Sequence, residues 1–123
     1  MKSIFRLLLC LLTLPAWAQT TSVKFDRKVL KHDAVQEGAQ LSFDYSVINT
    51  GDVPLVLERF EVACTCTKVT LPAPVLPGET AVIHVTFDTH GKIGWQYRKV
   101  KLYGNTKRPP EEVEFRVKVE EKD

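Results

Sequence analysis

Thr80-Ala81-Val82-Ile83-His84-Val85-Thr86-Phe87-Asp88 is the stretch on which the fold turns. Ala81, Ile83, Val85 and Phe87 alternate with Val82, His84, Thr86 and Asp88. Side chains along a strand point to opposite faces in turn, so this is the pattern of a half-buried β-strand. Working outward, the same period of two recurs. Val23 to Val29 predicts a first strand, and Leu41 to Asn49 a second, with Leu41, Phe43, Tyr45 and Val47 on one face. Leu55 to Ala63 and Lys68 to Leu71 precede the Thr80 strand. Tyr97 to Tyr103 and Val113 to Val119 follow it. Asn49-Thr50-Gly51-Asp52 and Pro77-Gly78 are turns between them. No stretch has a convincing helical period. Seven short strands predict an all-β, immunoglobulin-like, seven-strand antiparallel β-sandwich. The antibody form is excluded, because the second and sixth strands carry no cysteine.

The chain of 123 residues opens on a secretory signal. Lys2 and Arg6 form its positive end, Leu7 to Leu14 its apolar run, and Ala16-Trp17-Ala18 its cleavage pattern. Residues 1–18 are therefore expected to be a signal peptide cleaved after Ala18. Residues 19–123 are expected to be one secreted or periplasmic domain. Lys2 and Arg6 account for the whole formal charge of +2, so the rest is neutral. A neutral domain argues against nucleic acid, whose binding needs a basic surface. It also argues against electrostatic attachment to anionic lipid, and no second apolar run approaches transmembrane length.

Glu37-Gly38, Asn49-Thr50-Gly51-Asp52 with Pro54-Leu55, Cys64-Thr65-Cys66-Thr67, Pro77-Gly78-Glu79, and Val85-Thr86-Phe87-Asp88-Thr89 with Gly91 and Gly94 follow one another in order. This series resembles the bacterial domain-of-unknown-function family 1573 over nearly the whole of residues 19–123. The resemblance implies an exported immunoglobulin-like domain, similar to the group containing periplasmic pilus chaperones and ciliary and centrosomal ASH-type domains. It implies no activity. Members of the family usually carry glycine between the two cysteines, where this chain has Thr65. A β-branched residue resists positive φ, so a left-handed centre to the motif would be strained here.

Cys64 and Cys66 leave three readings open. An extended backbone puts both on one face with Thr65 opposite, and paired thiolates suit copper(I) better than a four-ligand zinc site. A disulfide requires the chain to pucker. Two structural cysteines without a reaction complete the set. His90, in the loop after the Thr80 strand, and His32, before Leu41, are the imidazoles that sandwich topology brings to the same pole. His90 is the candidate third metal ligand, and a solvent-exposed loop histidine is the plainer reading of it.

Trp95, Tyr97, Lys99, Lys101 and Tyr103 share one parity, with Val100 and Leu102 on the other. With the valine and leucine inward, they form an aromatic and basic stripe suited to a peptide, glycan or partner sheet. Cross-strand pairing with Glu112, Glu114 and Glu120 would satisfy the same residues without a ligand. No Gly-x-Ser-x-Gly elbow, His-Glu-x-x-His, phosphate loop or calcium loop occurs. The expectation is a non-catalytic, exported module that binds a protein or cell-envelope partner and needs no cofactor. The alternative is a periplasmic copper(I)-handling or thiol redox protein using Cys64 and Cys66.

Overall fold

The computed structural model describes residues 19–122. The expected signal peptide and its cleavage site lie outside the described residues. Nine strands occur among the described residues: β1 Val23–Phe25, β2 Val29–Lys31, β3 Val35–Gln36, β4 Gln40–Asn49, β5 Leu57–Val62, β6 Thr67–Thr70, β7 Thr80–Asp88, β8 Gly94–Gly104 and β9 Glu111–Glu120. They form two facing sheets. One has the order β1-β4-β7-β6. The other has β2-β9-β8-β5, with β3 also on β9. β2 and β3 run parallel to β9, and all other pairs are antiparallel. This is the expected immunoglobulin-like sandwich.

The excess over seven strands arises before β4. Val23 to Val29 is not one strand but two, in different sheets. The Asp26 amide still donates to Ser46 O on β4, whereas Lys28 O already accepts from Glu114 N on β9. The chain crosses the sandwich edge within those residues, which lets one short segment pair with both sheets.

Strand β7 has the bounds expected from its alternation. Ile83, Val85 and Phe87 are fully buried, and Leu41, Phe43, Tyr45 and Val47 of β4 lie beside them. The opposite sheet supplies Val100, Leu102, Val113, Phe115, Val117 and Val119. Phe115 reaches across the interface to stack on Phe43 at 4.4 Å.

At the pole opposite the cysteines, Asn49 is wholly buried. Its Nδ2 donates to Val53 O and Val75 O, both at 2.8 Å. Its Oδ1 accepts from Thr21 Oγ1 at 2.6 Å and from Gly51 N at 3.0 Å. The turn is thus organised by the buried Asn49 side chain. Gly51 has no positive φ. Its glycine is required by proximity, since a Cβ there would lie 2.0 Å from Thr21 Oγ1. At the neighbouring turn Gly78 does adopt φ +83° after Pro77, and Glu79 N donates to Leu76 O.

Candidate functional site

Strand β5 ends at Val62, and the chain leaves its sheet through Ala63-Cys64-Thr65-Cys66 to enter the other sheet as β6. The crossing is a tight turn, not the extended segment that would point both cysteines to one face. Thr67 N donates to Cys64 O at 3.2 Å, and the Cα atoms of Cys64 and Cys66 are 5.1 Å apart. Their sulfurs form a disulfide. Among the described residues none other than glycine has positive φ, so Thr65 occupies the centre of the motif without left-handed strain. Cys66 O accepts from Asp88 N, which ties the turn to the end of β7. Cys66 packs against the core, whereas Cys64 faces a cleft.

That cleft, of about 420 Å³, brings the cysteine motif and the aromatic-basic stripe together. Glu61 to Cys64 form one side and Tyr97 to Lys99, with Lys101, the other. Its two carboxylates are engaged. Glu61 accepts from Arg59 and Tyr103, bonds that hold its carboxyl below the usual range. Glu114 takes the Arg116 guanidinium at 2.9 Å. The cations are less committed. Arg98 Nη2 donates to Gln96 Oε1, while its buried Nε has no partner among the described residues.

The stripe faces outward as its parity requires, but it divides in two. Tyr103 lies under the Arg59 guanidinium, with 3.7 Å from ring centroid to Cζ, and its hydroxyl donates to Glu61. Burial and that carboxylate raise its phenol above the ordinary value. Trp95 and Tyr97 instead stack on each other at 6.0 Å and are each 59% exposed. Of the expected cross-strand pairs, Lys99 with Glu112 is present at 3.9 Å. Glu114 turns to Arg116, and Glu120 lies opposite Gln36.

The loops expected at one pole do meet there. Thr89 N donates to Ala39 O, Gly91 N to Glu37 Oε1, and Asp88 N to Cys66 O. Within it, His90 Nδ1 lies 3.7 Å from Glu37, and its amide donates to Asp88 Oδ1, which keeps the Asp88 carboxyl below its ordinary value. His32 sets its ring edge-on against Phe43. No group of three or more metal-competent side chains occurs among the described residues. In the bridged form neither Cys64 nor Cys66 is a thiolate, so copper(I) chemistry would belong to the reduced protein. Arg98 escaped the sequence reading because it shares parity with buried Val100 and Leu102. The signal available was a charged residue on an inward parity.

A sequence profile for a family described as protein of unknown function (DUF1573) matches residues 23–119. No curated protein matches the chain. Among solved structures, a protein of unknown function from Porphyromonas gingivalis W83 is similar with a TM-score of 0.71 and 15% identity, over 86% of this chain and 51% of that one. The chain thus spans about half the length of that protein. The human CEP192 ASH/PapD-like domain 7 has a TM-score of 0.58 and 11% identity, over 85% of this chain and 89% of that domain. The Vibrio cholerae VesB protease has a TM-score of 0.60 and 12% identity, over 80% of this chain and 32% of the protease. At these identities the likeness is one of fold.

Proposed function

The chain belongs to the DUF1573 family, and from that premise we propose that it is a non-catalytic, exported interaction module whose binding face is the outer surface of the β2-β9-β8-β5 sheet. The observation that carries the reading is the exposed Trp95–Tyr97 stack beside the cleft. Large aromatic side chains left in water on the outer face of a sheet are the residue types that dominate protein interfaces. The Cys64–Cys66 bridge acts as a structural clasp for the turn between sheets. No helix among the described residues is long and apolar enough to cross a membrane.

A photo-crosslinking residue at Tyr97, with another at Val82 on the outer surface of the opposite sheet as control, tests this in cell-envelope extract. A discrete adduct is expected from position 97 alone, lost in Trp95→Ala. Equal labelling from both positions, or none, overturns the reading. Export is tested separately by mass spectrometry of the product. An amino terminus at Gln19 is expected, and a product that retains Met1 contradicts it.

One observation favours the thiol alternative. Cys66 N donates to Cys64 Sγ at 3.1 Å, and that bond would stabilise a Cys64 thiolate after reduction. Copper(I) competition on the reduced domain, repeated with Cys64→Ser, separates the readings. Tight binding lost with the cysteine makes the pair the functional centre.

A further inference from the structure

We propose that the free edge of β8 over Gly94–Lys99 takes up an extended acidic peptide segment of a partner protein as an added strand. This rests on the interaction-module reading and specifies its ligand. β8 runs from Gly94 to Gly104, yet β5 pairs with it only from Val100 onward. The remaining six residues are paired with β9 on one side. On the other side no backbone hydrogen bond reaches them from the described residues. β5 would cover this edge if it continued straight. The Cys64–Thr67 turn diverts it to the opposite sheet, where Thr67 pairs with Phe87. The cleft is the space left by that diversion. An uncovered edge is a template for another strand, and six residues offer about 20 Å of it at roughly 3.3 Å per residue.

Charge selects the occupant. The cleft's carboxylates, Glu61 and Glu114, are held by Arg59 with Tyr103 and by Arg116. Arg98 has no carboxylate partner and keeps a buried, unbonded Nε, and Lys101 has no ion pair among the described residues. An incoming strand that carries a carboxylate opposite Arg98 satisfies that guanidinium with a charge-assisted bond. Alternate residues of the same strand then lie beside Trp95 and Tyr97 on the outer face.

The test uses a seven-residue peptide, Thr-Val-Glu-Val-Glu-Val-Thr, its lysine counterpart, and a version with proline replacing the central valine. Binding to the disulfide-bonded domain is followed by nuclear magnetic resonance and amide hydrogen exchange. The acidic peptide is expected to slow exchange within residues 94–99, and to bind about tenfold or more tighter than the lysine peptide, the scale of one charge-assisted bond. Arg98→Gln should erase that preference and Arg98→Lys keep it, with both variants retaining the native amide spectrum. Proline should abolish binding by removing a backbone donor. Equal binding of the acidic and lysine peptides overturns the proposal, as does undiminished binding of the proline peptide. Protection of the edge without peptide, in a species of twice the mass, assigns it to a second copy of the chain and overturns it too. A position-97 adduct that persists while the acidic peptide fails to protect the edge overturns this inference alone and leaves the interaction module standing.

Discussion

The Tyr45 hydroxyl, on β4, donates to Glu114 O, on β9, at 2.6 Å and joins the two sheets through the core. Burial, and then the Glu114 carboxylate, push its phenol well above the ordinary value of 10.0. Tyr45→Phe should therefore cost about 0.5–1.5 kcal/mol, the net value of an intramolecular hydrogen bond. The linkage has a definite sign. A raised folded pKa favours the neutral phenol in the native state, so its stabilisation is complete below pH 10.0 and declines above it. Denaturant melts should show that alkaline decline in the parent protein and a weaker one in Tyr45→Phe.

Asn49→Ala should destabilise the fold by about 2–4 kcal/mol, because it strips partners from the Val53 and Val75 carbonyls in a buried site. Gly51→Ala should also destabilise, since Thr21 stands where the methyl would go. Urea midpoints unchanged in both variants would contradict the role assigned to this pole.

Cys64→Ser with Cys66→Ser should leave the domain folded, at a loss of about 2 kcal/mol or less, because so short a closed loop restrains the unfolded chain little. Thr65→Gly should lower stability by about 0.4–1 kcal/mol through greater freedom of the unfolded chain, as no positive φ awaits a glycine there. A gain in stability would show that the motif prefers glycine after all.

Phe87→Ala should cost about 3–5 kcal/mol as a large-to-small change at a fully buried site. Thermal melts check the magnitude, and a loss below 1 kcal/mol would remove Phe87 from the core.

Asp88 accepts the His90 amide, and its carboxyl lies below 3.8. A depressed folded pKa gives stability that is present above 3.8 and lost as pH falls through the folded value. A carboxyl-carbon titration should place its midpoint below that of a free aspartate, and Asp88→Asn should reduce the acid sensitivity of the fold. A midpoint at or above 3.8 contradicts this.

The alternation of Ala81, Ile83, Val85 and Phe87, and its echoes in β4, β8 and β9, was enough to determine a sandwich and most of its core. Burial on one face of a strand imposes a period of two that single residues report directly. The outward parity of Trp95, Tyr97, Lys99 and Lys101 was legible for the same reason. Local pattern carries no record of what lies across a sheet or beyond a strand's end. The switch of the Val23–Lys31 segment between sheets depends on partners at Ser46 and Glu114. The pucker joining Cys64 to Cys66 depends on β6 being drawn to Phe87. The uncovered edge beside Arg98 follows from that same diversion. Each is decided by contacts between residues far apart in the chain, so only the tertiary structure places Cys64 and the stripe on one cleft.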